Sequence, residues 1–200
     1  MNRIKGMCMG YSELSDQELQ YKWHDGDDKA FRELCNRSKR QVFSFILRMV
    51  RDRELAEDLT QDTFLSAIKA ADQFDQNRKF LSWLFGVAHK RTIDHFRRKK
   101  VMAAHKDKEE ALMGSHFDNP DVATDNSHMR ALLSDAIETL SPDQREVFLM
   151  REMGGVPFKE IAEIMDCTLN TALGRMRLAL ANIRKLFEER GIYGVQQMGE

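Results

Sequence analysis

Apolar residues recur along this chain at intervals of three and four, the spacing that gathers them on one side of an α-helix, and rarely in the alternation of a strand. Ser15-Asp16-Gln17-Glu18 has the form of a capping box and predicts a helix that ends near Asp25-Gly26. A second helix carries Ala30, Phe31, Leu34, Val42, Phe43, Phe45, Ile46 and Leu47 as core candidates. A third follows Asp52 and turns Leu55, Ala56, Leu59, Phe64, Ala67, Ile68 and Ala71 inward. After a loop at 74–79 a fourth runs over 80–100, with Phe80, Leu84, Val87 and Ile93 assigned to the core. The period then lapses. Residues 107–125 hold Gly114, Asn119-Pro120 and six acidic residues against Lys108 alone, the composition of a flexible acidic linker. A helix over 129–137 resumes the pattern.

The last third is the best punctuated. Ser141 is placed to cap a helix, Pro142 fits its first turn, and Gln144 stands where a capping box needs it. Val147, Phe148, Met150 and Arg151 give that helix an apolar and a wet side, and Gly154-Gly155 can take the left-handed geometry that ends it. Phe158, Ile161, Ala162 and Met165 follow at helical spacing. Asp166-Cys167-Thr168 then predicts a tight turn, with Thr168 as N-cap of a final helix over 169–190. Two short helices and a turn before a longer one outline a helix-turn-helix.

Composition narrows the class. Three Pro and eleven Gly in 200 residues suit an all-α chain, read here as two small helical domains. The expected divisions are an N-terminal extension at 1–13, a helical domain at 14–104, the linker at 105–127, the helix-turn-helix domain at 128–190 and a tail at 191–200. No apolar run approaches the roughly 20 residues of a membrane span, and the N-terminus lacks a signal-peptide layout, so an intracellular protein is expected. Cys8, Cys35 and Cys167 are too scattered for a zinc pattern and read as free thiols. No histidine pair, phosphate-binding glycine loop, nucleophile motif or paired-carboxylate constellation stands out. The expectation is no metal, no cofactor and no catalysis.

Charge supplies the chemistry. From Asn170 to Phe187 the final helix carries Arg175, Arg177, Arg184 and Lys185 and no acidic residue, while the whole chain has a net charge of −1. A basic helix behind a tight turn suits a phosphate-lined groove, and a solvated surface helix would have the same charge. Residues 78–100 hold eight positive charges, Arg78, Lys79, Lys90, Arg91, Arg97, Arg98, Lys99 and Lys100, against Asp94. Phe80, Trp83, Phe85 and Phe96 are threaded among them. Basic residues follow a phosphate chain and aromatic faces stack unpaired bases, so this segment points to single-stranded or melting nucleic acid. Most of these aromatics fit a core equally well; Trp83 and Phe96 are the two left open.

Four motifs in order, Ala56-Glu57-Asp58-Leu59-Thr60-Gln61-Asp62-Thr63-Phe64, Phe80-Leu81-Ser82-Trp83-Leu84, Asp94-His95-Phe96-Arg97-Arg98, and Leu140-Ser141-Pro142 through Glu160-Ile161-Ala162-Glu163, resemble bacterial sigma factors of the extracytoplasmic-function (ECF) group. The resemblance covers roughly residues 14–186. It implies a non-enzymatic factor that binds core RNA polymerase, directs it to a promoter and helps open the duplex. By that resemblance Asp58, Gln61 and Asp62, which share a helix face, dock on a coiled coil of the polymerase; a solvated acidic face is the alternative. It assigns Asn77, Arg78, Lys79, Trp83, Lys90, Arg91, Arg97 and Arg98 to the single-stranded minus-ten element. Thr168, Asn170, Thr171, Arg175 and Arg177 go to the minus-thirty-five duplex. The linker would follow the path later taken by RNA, or serve as a plain tether. An anti-sigma factor or an additional DNA-targeting protein is an expected partner.

Two departures from the family pattern change the expectation. Lys90 stands where many members have Asn, and Thr171-Ala172-Leu173-Gly174-Arg175 stands where a Thr-Val-Lys-Ser-Arg run is common. Leucine and glycine cannot make the polar contacts of lysine and serine, which implies modest minus-thirty-five specificity. A stand-alone helix-turn-helix regulator is the competing reading. It leaves the Asp58/Gln61/Asp62 face without a partner, and a purely structural adaptor leaves two basic helices unexplained.

Overall fold

The computed structural model describes residues 10–104 and 127–191, so most of the linker and both ends of the chain lie outside the described residues. The described residues form helices and turns without a strand. Helices α1 (Asp16–His24), α2 (Asp28–Val50), α3 (Arg53–Lys69) and α4 (Phe80–Ala104) make one bundle. Helices α5 (Ser127–Thr139), α6 (Pro142–Gly154), α7 (Phe158–Ile164) and α8 (Leu169–Glu189) make the second.

Side-chain caps set the starts of α1, α2, α3 and α8. Ser15 and Glu18 form the reciprocal box expected of them, with Ser15 N donating to Glu18 at 2.7 Å and Glu18 N to Ser15 Oγ at 3.3 Å. Asp27 caps α2, Asp52 caps α3 and Thr168 caps α8. Ser141 departs from expectation: it is the N-cap of α6 but its hydroxyl makes no capping bond. Gln144, the other half of the expected box, instead accepts from Asn182 Nδ2 on α8 at 3.0 Å. Gly155 closes α6 at φ 58°, in the left-handed geometry its position requires.

The first core is built where sequence spacing puts it, from Ala30, Leu34, Val42, Phe45 and Ile46 of α2 and Ala56, Leu59 and Ala67 of α3. Phe45 meets Phe85 of α4 edge to face at 4.9 Å. Ile68 is a correction, since it is 56% exposed. Thr60 and Thr63 are buried in its stead, a placement made tolerable by hydroxyl bonds to the carbonyls of Ala56 and Leu59 at 2.6 and 2.7 Å. The last residues of the expected N-terminal extension are tied down: Arg37 donates to the carbonyls of Tyr11, Ser12 and Leu14, and Tyr11 Oη donates to Asp27 at 2.7 Å.

The two bundles pack on one another through α2 and α4 on one side and α6 and α7 on the other. Val147, Phe148 and Met150 of α6 are buried and Arg151 is exposed, the apolar and wet sides expected of it, and Arg145, Glu146 and Leu149 are buried as well. Arg145 offsets its burial with three bonds, to the carbonyls of Ile137, Glu138 and Leu140 at 3.1, 2.9 and 2.9 Å. Burial, with the nearby Arg51 charge, pulls its guanidinium down to about 10, still well above neutrality. Glu146 pairs with His89 of α4.

Candidate nucleic-acid interface

Asp58, Gln61 and Asp62 emerge on the outer side of α3, all exposed and spaced i, i+3 and i+4. Leu65 and Ile68, 55% and 56% exposed, continue the same helix beyond them. Between α2 and α3 lies an open cleft of about 720 Å³ lined by Phe31, Cys35, Gln61, Phe64, Leu65 and Ile68 among others. The acid-amide-acid ridge therefore borders an apolar surface. The apolar period of α3 predicts a core position for Ile68, whereas the structure puts it on the surface beside Leu65. Burial pushes the Cys35 thiol up to about 12, so it is an inert wall of this cleft.

The basic segment begins in the loop before α4. Asn77 folds back on Asp75, donating from its backbone and its side chain at 3.0 and 2.9 Å. Gln20 of α1 then clamps the loop on both sides of Lys79: its amide donates to the Arg78 carbonyl and accepts from Phe80 N, each at 3.1 Å. Sequence reasoning passed over Gln20 because a glutamine on an amphipathic helix carries no signal of its long-range partner. Arg78 reaches Glu163 of α7 in an ion pair between the two bundles, and Lys79 is exposed.

Along α4, Lys90 and Arg97 are exposed and share a small cleft of about 340 Å³ with Asp94, closed on one side by Ile164 of α7. Arg91 is half-buried and Arg98 exposed, one stripe further round. Trp83 is half-buried in an aromatic cluster, 5.2 Å from Phe74, 5.7 Å from Phe80 and 6.3 Å from Trp23. It is thus held by packing with part of its surface open. Phe96 is half-buried beside His95.

The third cluster sits where α7 turns into α8. Asp166 takes φ 48° in the turn, and Thr168 Oγ1 then accepts from Thr171 N at 3.1 Å. Asn170 and Thr171 are exposed in the first turn of α8. Arg175 is drawn onto α6 by an ion pair with Asp143, whereas Arg177 is exposed. The opposite side of α8, Ala172, Met176, Ala179, Ile183 and Phe187, is buried. Three expected groups of residues thus occupy three separate surfaces. Among the described residues no group of His, Cys, Asp and Glu could hold a metal ion, and no helix is long and apolar enough to cross a membrane.

This arrangement matches known proteins along both bundles. Residues 34–101 match the Sigma-70 region 2 family and residues 130–183 match Sigma-70, region 4. RNA polymerase sigma factor CarQ of Myxococcus xanthus is 32% identical over 84% of this chain and 95% of its own length. The ECF RNA polymerase sigma-E factor of Haemophilus influenzae is 28% identical over 82% of this chain and 90% of its own. The same fold occurs in the sigma factor RpoE of Bartonella quintana, solved with the anti-sigma factor NepR, at a TM-score of 0.69, 21% identity and coverage of 84% of this chain and 99% of that one. CnrH, solved with the cytosolic domain of CnrY, gives a TM-score of 0.59 at 21% identity, covering 87% and 97%. The chain belongs to the ECF group of sigma factors. It is a non-enzymatic initiation factor that binds core RNA polymerase and promoter DNA.

Proposed function

We propose a division of labour among the three surfaces. Asp58, Gln61 and Asp62 dock on core RNA polymerase. Asn77, Arg78, Lys79, Trp83, Lys90, Arg91, Arg97 and Arg98 follow the melted minus-ten strand. Thr168, Asn170, Thr171, Arg175 and Arg177 hold the minus-thirty-five duplex. The observation that carries this reading is where the assigned groups emerge: Asp58, Gln61 and Asp62 are exposed together on α3, while Lys79, Lys90, Arg97, Arg98 and Arg177 are exposed in the loop before α4, on α4 and on α8. An acidic ridge repels a phosphate chain and suits a basic protein surface; cationic helices do the reverse. Residues 14–104 and 128–190 are the two working domains, and the acidic 105–127 stretch joins them. Acting on RNA polymerase places the protein in the cytoplasm.

A regulatory partner fits the same picture. The packing of α6 and α7 against α4 brings Glu163 to Arg78 and Ile164 over the Lys90/Arg97 cleft. A partner that favours this packing, such as an anti-sigma factor, keeps those cations from DNA. The sigma factor RpoE of Bartonella quintana, which shares this fold, was solved with the anti-sigma factor NepR, and this supports the reading.

The test is capture of core RNA polymerase by the purified protein, followed by transcription from a promoter library. Asp58→Ala/Gln61→Ala/Asp62→Ala is expected to lower polymerase affinity by more than about tenfold. Unchanged polymerase binding in the triple variant moves the dock elsewhere. Tight duplex binding without any polymerase binding by the unaltered chain points to a stand-alone regulator.

A further inference from the structure

The recognition helix exposes leucines where a duplex reader usually offers hydrogen-bonding groups. Leu169 is the first residue of α8 and Leu173 lies one turn on; they are 46% and 39% exposed. Both stand clear of the buried side of α8, which Ala172, Met176, Ala179 and Ile183 form. The spacing i, i+4 stacks them on one face, and Arg177 extends that face by another turn. No acidic residue occurs on α8 itself from Asn170 to Phe187, so the helix that carries the leucines is cationic there, with Asp166 exposed in the turn before it and Asp143 of α6 paired with Arg175.

Those neighbours select the occupant. An apolar patch on a helix whose own charges are all positive over residues 170–187 fits a surface that is anionic overall and apolar at one point. Duplex DNA has that character in the major groove, where the phosphates flank the C5-methyl group of thymine. In a helix-turn-helix the first turns of the second helix are the part that reaches base edges. Leucine has neither donor nor acceptor. Of the four bases only thymine presents a group there that leucine can recognise.

We propose that Leu169 and Leu173 read thymine methyl groups in the minus-thirty-five duplex, so that upstream specificity rests on apolar contact in place of base hydrogen bonds. The inference rests on the assignment of α8 to that duplex. It makes the readout modest per position, in keeping with the loss of lysine and serine from this turn, and gives it a direction: thymine over cytosine, adenine and guanine. Gly174, with open space around its Cβ position, leaves room for the bases beside Leu173.

The experiment uses the full-length protein with core polymerase. Duplexes are selected from a library randomised upstream, and each selected thymine is then replaced by deoxyuridine, which removes the methyl and leaves the base-pairing edge and O4 unchanged. One or two positions are expected to lose about three- to fivefold in affinity on the methyl's removal, the worth of one buried methyl. In Leu173→Ala at least one of those positions becomes indifferent to the methyl, and Leu173→Lys is expected to shift the selected base away from thymine. Both changes are at an exposed position, so folding is retained. Sequence-selective binding that is the same for thymine and deoxyuridine everywhere overturns the methyl readout while leaving α8 in the groove; this is also the result if the leucines serve a protein partner. Failure of both Arg175→Ala and Arg177→Ala to weaken upstream binding removes this face of α8 from the duplex and takes the inference with it.

Discussion

Arg78, in the loop that leads into α4, donates its guanidinium to the carboxylate of Glu163 on α7. One of the cations assigned to the minus-ten strand is therefore engaged by the domain assigned to the minus-thirty-five element. In this packing Arg78 cannot serve both carboxylate and phosphate. Glu163→Gln is expected to raise affinity for a promoter carrying a premelted minus-ten region by up to about fivefold at low salt, with little change in thermal stability, because a partly exposed pair is worth at most about 1 kcal/mol. Filter binding at several salt concentrations measures it. An unchanged affinity means the contact dissolves without competing with DNA.

Gly154 tests the packing between bundles by shape instead of charge. A Cβ built there falls 2.9 Å from Phe85 Cε2 and 2.9 Å from Val156 Cγ2. Phe85 is fully buried against Phe45 and cannot withdraw. Gly154→Ala is therefore expected to push α6 off α4 and to lower stability by about 1–3 kcal/mol. Gly155→Ala is the control: its Cβ meets open space, but φ of 58° strains any L residue by roughly 1 kcal/mol without a clash between bundles. Small-angle scattering separates them. Expansion in Gly154→Ala only is the expected result, and equal compactness of the two variants contradicts it.

The Tyr11 to Asp27 hydrogen bond gives folding a pH dependence of known sign. The bond holds the Asp27 carboxyl below its ordinary 3.8 and lifts the Tyr11 phenol above its ordinary 10.0. Asp27 is depressed in the folded state, so its contribution is present above about pH 4 and lost as pH falls through the lower folded value. Tyr11 is raised, so its contribution is present below about pH 10 and lost as pH climbs through the higher folded value. Tyr11→Phe is expected to flatten the alkaline limb completely and the acid limb in part, leaving the Asp27 cap of α2. Urea midpoints from pH 3 to 11 supply the measurement; an alkaline limb that survives in Tyr11→Phe belongs to another group.

How much of this was legible in the sequence depends on the range of the interaction. Ser15, Thr168 and Gly155 act within one turn of chain, and each sits where its local pattern puts it. Asp58, Gln61 and Asp62 share a face by helical geometry alone. The misses are long-range. Gln144 has the right spacing to complete a cap at Ser141, but Asn182, 38 residues away, holds its amide. Arg145 and Glu146 carry no local signal of burial, yet both are buried, and carbonyls at 137–140 and His89 meet their polar atoms. Ile68 fits the apolar period of α3 and nevertheless lies beyond the reach of the core. Periodicity locates a face; it does not state whether another element covers it.

The two arginines of α8 should separate in their response to salt. Arg175 is tied to Asp143 of α6 and half-buried, so part of its charge is already answered within the protein. Arg177 is exposed on the outer side of the helix. Each phosphate contact adds about 0.9 to the slope of log affinity against log salt concentration on duplex DNA. Arg177→Ala is therefore expected to reduce that slope by close to one contact and to weaken binding alike on every sequence. Arg175→Ala should change the slope less, since the loss of the cation also frees a carboxylate beside the duplex, and that repulsion lowers affinity at all salt concentrations. Asp143→Asn distinguishes the effects: with Arg175 released, affinity rises and the slope steepens. Equal slopes for all three variants would mean that neither arginine meets a phosphate and that α8 approaches the duplex by another face.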